Sequence, residues 1–250
     1  MARTTKTEAV VLRSFRLGEA DRVLHLYTSA HGRIGAVAKG IRKTKSRFGA
    51  RLEPLSHVEA LLHQGSGELQ TITGVELIHS HHAAREDSYR LGIGMVGAEA
   101  MLRLFTEQEA NERAFTALTR FLDLLDEAPS RTPGPPSLDP LALAFQLKLL
   151  WVSGYLPHLS GCAECGATDA PLLGYSPRAG GGVCSVCAPA ASPLIPLSPA
   201  GITGIEALLR SPLAEAGAAG LNDRAARDAL KVITSSYEFH GGFRLRTLSA

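Results

Sequence analysis

All four cysteines of the chain fall in one window: Cys162-Ala163-Glu164-Cys165, then eighteen residues, then Cys184-Ser185-Val186-Cys187. In this C-x2-C-x18-C-x2-C pattern, two residues between thiolates let one tight turn aim both sulfurs at a single ion. Two such turns complete a tetrahedron, which suits zinc. The intervening segment holds Gly174, Pro177 and Gly180-Gly181-Gly182, the turn formers that a small ribbon requires. A site with four sulfur ligands has no open position, so one zinc per chain is expected to be structural and not catalytic. Rival chemistries fit less well. Disulfides need an oxidising compartment, and a thioredoxin-like pair needs one C-x-x-C in a βαβ setting. A zinc deaminase shows H-x-E followed by P-C-x-x-C, whereas Gly161 and Val183 precede the two pairs here.

The hydrophobic period divides the rest of the chain. Before residue 80 it is short and strand-like. Glu8 to Phe15, Arg22 to Thr28, Arg33 to Lys39, His57 to His63 and Leu69 to Ile78 read as five strands separated by turns at Gly18, His31-Gly32 and Gly65-Ser66-Gly67. In the second, Leu24 and Leu26 share one face, and Val23, His25 and Tyr27 the other. Five short strands fit an OB-type barrel, a common nucleic-acid binder. After residue 80 the period becomes helical: Leu91, Met95, Ala98, Leu102 and Phe105 make one face, and Phe115, Leu118, Leu122 and Leu125 another. Residues 129–140 are proline-rich and read as a linker. Asp139-Pro140, Ser198-Pro199 and Asn222 are helix starts. Trp151 on the first of these helices is expected in the core or at a domain interface. The fold class expected is α+β and multidomain: an OB-fold β-barrel over residues 1–80, then an all-α domain over 81–250 carrying an inserted four-cysteine zinc ribbon at 160–190.

Net charge is only +2, but residues 1–60 hold twelve Lys/Arg against five Asp/Glu. Within them, Lys39 to Leu52 carries six cations (Lys39, Arg42, Lys43, Lys45, Arg47, Arg51) and no acid. A row of cations between two strands can meet successive phosphates, and counterion release then supplies sequence-independent affinity. Arg22 and Arg33 extend the patch if their strands face the same side. Phe48 is either a stacking platform for a base or an apolar anchor for the loop. His79, His81 and His82 at the strand-to-helix junction offer metal ligands, but read first as exposed linker histidines.

Catalytic signatures are missing from the sequence. There is no G-x-x-x-x-G-K-[ST] phosphate loop, no G-x-S-x-G elbow and no H-E-x-x-H. A non-enzymatic binding protein is therefore expected. No run of about 18 apolar residues is present, and Met1 to Lys6 has no apolar leader core. The expectation is a soluble cytoplasmic protein without membrane contact.

Taken together and in order, these segments resemble the bacterial RecO family of DNA repair and recombination mediators. The resemblance rests on Gly18-Glu19-Ala20-Asp21-Arg22-Val23-Leu24, Ala38-Lys39-Gly40-Ile41-Arg42-Lys43, Ser46-Arg47, Leu52-Glu53-Pro54 and Gly67-Glu68-Leu69. In the second half it rests on Gly154-Tyr155-Leu156-Pro157, Cys162, Cys165-Gly166, Gly180-Gly181-Gly182, Cys184 and Cys187. It implies binding of single- and double-stranded DNA without sequence preference, annealing of complementary strands, and nucleoid association. It also implies partnership with RecR and with the acidic tail of single-strand binding protein, and indirect loading of RecA. It carries DNA contact over to Lys39, Arg42, Lys43 and Arg47; Lys45, Arg51, Arg22 and Arg33 rest on charge alone. The alternative is an RNA- or ribosome-associated zinc-ribbon protein, since a barrel with a basic loop also suits structured RNA.

Overall fold

The computed structural model describes residues 3–105, 109–128 and 134–248. Part of the proline-rich stretch lies outside them. The chain forms two compact units, Met1–Ala128 and Pro129–Ala250.

The first unit is built on a closed five-stranded barrel of β1 (Arg3–Leu17), β2 (Asp21–Thr28), β3 (Gly32–Ala38), β4 (His57–Gln64) and β5 (Gln70–His79). Strand order is β1-β2-β3-β5-β4, and β4 closes back onto β1. The β3–β5 pair is parallel; the others are antiparallel. All five expected strands form, and β1 is longer than its apolar run. Its first half pairs with β4 and its second with β2, with a register shift between Val11 and Arg13. That shift, and helical cover outside, bury Ala9, Val10, Val11 and Leu12 in succession, which hides the period of two. Elsewhere alternation holds. Leu24, Leu26, Ile34, Ala36 and Ala38 point into the core with Val58, Ala60 and Leu62, while Tyr27 turns outward and meets Phe105 edge-on at 5.5 Å.

Strands give way to helices at residue 80, but the compact unit does not end there. Helices α1 (His82–Glu86), α2 (Ser88–Leu104) and α3 (Glu112–Glu127) belong with the barrel. Gly94 of α2 shows why: a Cβ there would come within 2.5 Å of Leu55 Cδ1, so its hydrogen lets the barrel's Leu55 dock against the helix. Asp87 and Asn111 cap α2 and α3, accepting from Tyr89 and Arg90 N–H and from Ala114 N–H.

In the second unit, α4 (Pro140–Val152) is buried on nearly every side, and α5 (Pro199–Arg210) and α6 (Asp223–Ser236) pack around it. All three begin where the sequence places their caps: Asp139, Ser198 and Asn222 each accept a first-turn N–H. Between α4 and α5 lies a three-stranded ribbon of β6 (Leu172–Ser176), β7 (Gly181–Cys184) and β8 (Ile195–Pro196), in the order β7-β6-β8. Trp151 is not core within this unit; it is 53% exposed.

A buried carboxylate ties α6 to α5. Asp228 is fully buried and accepts from Ser198 N–H at 2.9 Å and Ser198 O–H at 2.7 Å, while Lys231 and Arg224 sit on its oxygens at 3.2 and 3.4 Å. Burial alone would raise its pKa, but the Ser198 donors and Lys231 outweigh burial and hold the carboxyl below the usual carboxylate range. A depressed folded pKa stabilises above the unfolded value, about 3.9, and that contribution is lost as pH falls through the folded value. Asp228→Ala should therefore destabilise this unit by about 2–4 kcal/mol at neutral pH. Denaturant titrations should show the gap from wild type shrinking towards pH 3; a gap that stays constant into acid would contradict the charge-based account.

Candidate nucleic-acid interface and metal centre

The basic segment between β3 and β4 is a run of turns ending in one 3-10 turn, Gly49–Leu52. It is anchored from both sides. Gly40 N–H donates to Asp21 Oδ1 at 2.7 Å, and Arg42 N–H donates to Ala20 O at 2.9 Å. Phe48 and Leu52 plug the barrel core, with 1% and 0% exposure. The Phe48 ring is thus an apolar anchor and unavailable for stacking on a base. Between the anchors, Lys39, Arg42, Lys43, Lys45 and Arg47 are exposed, and none makes an ion pair among the described residues. Arg42 is partly fixed by donating to Glu19 O at 2.8 Å, and Arg47 lies over the Phe48 ring at 4.9 Å. The result is a cluster of five unneutralised cations on a rigid base.

The three other candidate cations are held elsewhere. Arg51 folds inward and donates to Phe48 O at 2.9 Å and Val75 O at 3.2 Å. Arg22 and Arg33 lie on opposite faces, because Arg22 registers with Ala38 and Arg33 with Tyr27. Arg22 pairs with Glu53 at 3.4 Å. Arg33 donates to Leu102 O at 2.6 Å, where its charge meets the negative end of α2. These three are tied into the fold around the patch.

Sequence patterning missed Phe15. It is 37% exposed on the outer face of β1, edge-on to His25 at 5.2 Å, with Arg13 over its ring at 5.2 Å. The signal is present in the sequence: Arg13-Ser14-Phe15-Arg16 places an aromatic between cations on a strand. The apolar run that it ends hides that signal.

In the ribbon, all four thiols are free and their sulfurs lie within 4.8 Å of one another. Cys165 Sγ and Cys184 Sγ are 3.9 Å apart. A tetrahedral zinc with bonds near 2.3 Å needs sulfurs about 3.8 Å apart, so the donor set fits. Cys184 N–H donates to Cys162 Sγ at 3.4 Å, and that and other backbone N–H groups hold the Cys162 thiol down at about 6. Its crowded neighbours, Cys165 first, push Cys187 up to about 12. As thiolates, four sulfurs this close need a cation to neutralise them. Gly181 makes the geometry possible. A Cβ there would meet His158 O at 2.4 Å and Ala163 Cβ at 2.9 Å, so only glycine lets β7 lie against the first knuckle.

The second unit also carries a pocket of about 340 Å³ beside α4 and α5. Trp151, Leu156, Pro157 and Leu209 give it an apolar floor, and Lys148 and Arg210 stand on its lining. Lys148 donates to Leu209 O at 3.2 Å, and burial lowers its pKa. Among the described residues no helix is long and apolar enough to cross a membrane.

Comparison with known proteins places both halves. Residues 1–81 match the model of the Recombination protein O N-terminal family, and residues 85–249 match that of its C-terminal family. A DNA repair protein RecO from Rubrobacter xylanophilus is 38% identical over 237 residues, covering 93% of this chain and 90% of the relative. One from Thermobifida fusca is 37% identical over 242 residues, with 96% and 95% covered. One from an Anaeromyxobacter species is 33% identical over 244 residues, with 96% and 92% covered.

Proposed function

The chain belongs to the RecO family of DNA repair proteins, and from that membership we propose that it works by binding DNA and not by chemical turnover. The barrel, residues 1–80, acts as the nucleic-acid-binding part, and residues 81–250 are the helical part with its ribbon, of which α1, α2 and α3 share the barrel's compact unit. It binds single- and double-stranded DNA without sequence preference and anneals complementary strands. With RecR it helps load RecA onto strands coated by single-strand binding protein, in the cytoplasm at the nucleoid. The observation that carries this reading is the cluster Lys39, Arg42, Lys43, Lys45 and Arg47. Five exposed cations lie on a barrel loop with no carboxylate to neutralise them among the described residues, which is an electrostatic footprint for a phosphate backbone. Phe15 beside Arg13 adds a base-stacking surface. One zinc, held by Cys162, Cys165, Cys184 and Cys187, is the structural cofactor. The test is competition between DNA and RNA of equal length. DNA should win or tie, with affinity falling steeply as salt rises; a strong preference for structured RNA would favour the ribosome-associated alternative.

The pocket is the candidate seat for the acidic tail of single-strand binding protein. Its apolar floor accepts a tail side chain, and Lys148 and Arg210 stand on its lining, Arg210 paired with Glu206 at 3.2 Å. Trp151→Ala should weaken binding of the coating protein about tenfold or more and leave the affinity for naked DNA unchanged. Fluorescence anisotropy with a labelled tail peptide measures the first and with a labelled oligonucleotide the second; an undiminished peptide affinity would move the partner site off this pocket.

A further inference from the structure

Of the three junction histidines that the sequence suggests are exposed, His82 is, with its side chain 67% accessible, but His81 and His79 are held inside a side-chain cluster. His81 is completely buried, and its Nδ1 lies 2.7 Å from Leu55 O. A carbonyl only accepts, so Nδ1 carries a hydrogen. Its Nε2 lies 3.0 Å from Asp123 Oδ1 on α3. His79 repeats the arrangement: its Nε2 is 3.3 Å from Asp126 Oδ2, and its Nδ1 is 3.1 Å from the same Asp123 Oδ1. Asp126 is itself fixed by accepting from Ala84 N–H at 2.8 Å. Each imidazole thus has one nitrogen on an acceptor outside the cluster and the other on the shared carboxylate oxygen.

A neutral imidazole carries one N–H. With those hydrogens placed on Leu55 O and Asp126, the lone pairs of His81 Nε2 and His79 Nδ1 both face an anionic oxygen. The two rings lie 4.2 Å apart and tilted, with His81 wholly buried. One divalent ion meets both lone pairs and the shared carboxylate oxygen directly. Histidines that ligate metals donate their other N–H to a carboxylate or a backbone carbonyl, which is what Asp126 and Leu55 accept here. The three donor atoms lie within 4.8 Å of one another, close enough to share an ion at about 2.0–2.2 Å from each.

We infer that His79, His81 and Asp123 form a second metal site, for a divalent transition ion such as zinc, that staples the end of β5 to α3. Asp126 and the Leu55 carbonyl are its positioning groups. Unlike the sulfur site, it has only three protein ligands. His79 and Asp123 are partly exposed, with side chains 41% and 33% accessible, so a water completes the coordination. The site is therefore expected to exchange its ion, whereas the thiolate site holds its own.

The test uses the full chain equilibrated with zinc buffered at micromolar free concentration. Wild type should bind one more equivalent than either His79→Gln or Asp123→Asn. That difference does not depend on the four cysteines, so it stands or falls separately from the ribbon. Equal zinc content in wild type and both variants would overturn the site. A second measurement needs no variant. Of the nine histidines, the ring resonances of two should shift together when zinc is raised past saturation of the thiolate site. No histidine shift would overturn the inference as firmly as equal stoichiometry.

Discussion

Serine in place of both Cys165 and Cys187 is expected to release one metal ion per chain and to unfold the ribbon. Structural zinc contributes about 10–16 kcal/mol of apparent binding free energy in small thiolate sites. Domains are stable by only about 5–15 kcal/mol, so the loss is comparable with the whole stability of the second unit. The damage should spread through that unit. Tyr175 of β6 exchanges a hydrogen bond with Ser236 of α6 at 2.8 Å, deep in the structure. Tyr237 O–H in turn donates to Gln146 of the central helix. The ribbon is thus wired to the helices behind it. The barrel unit has its own closed core and should keep its transition. Calorimetry with metal analysis checks both statements. A variant that loses its metal yet keeps the full cooperative transition would mean that the ion is not structural.

The second large effect concerns the basic loop. Lys39→Glu, Arg42→Glu and Lys43→Glu together should weaken DNA binding by about 10²–10³-fold near 0.1 M salt. The figure follows from three phosphate contacts at about 0.9 log units each per decade of salt. The slope of log affinity against log salt should flatten by about 2.7 for the same reason. Stability should barely change, because these side chains are exposed and make no ion pair among the described residues. By contrast, Arg51→Glu or Arg33→Glu should damage folding more than binding, since their guanidinium groups satisfy buried or helix-terminal carbonyls. That contrast separates a contact surface from a merely cationic region. Unaltered affinity in the triple variant would remove the loop from the interface.

What was legible in the sequence follows from the range of the interactions concerned. Periodicity and caps are local, so the five strands and the starts of α4, α5 and α6 could be read directly. The cysteine cluster was legible because two C-x-x-C turns carry most of its geometry within themselves. The arginines were harder. Arg22, Arg33 and Arg51 have the same local charge as Lys43 or Arg47. What separates them is a partner 31, 69 or 24 residues away, which no local pattern encodes. Two of the three junction histidines were misread for the same reason. His79 and His81 look like a polar linker until α3 returns Asp123 to them across more than 40 residues. Of its two readings Phe48 takes the apolar anchor, because it plugs the barrel core, whereas Phe15 sits outside on a barrel strand, where the apolar run hid it.

The central claim is that the cationic loop brings DNA strands together. Its most direct test is annealing without ATP. Two complementary oligonucleotides, each coated with single-strand binding protein, are mixed with wild type or with the Lys39, Arg42, Lys43 triple glutamate variant. The account predicts clear acceleration by wild type and loss of that acceleration in the variant. No acceleration by wild type, or equal acceleration by both proteins, would contradict it.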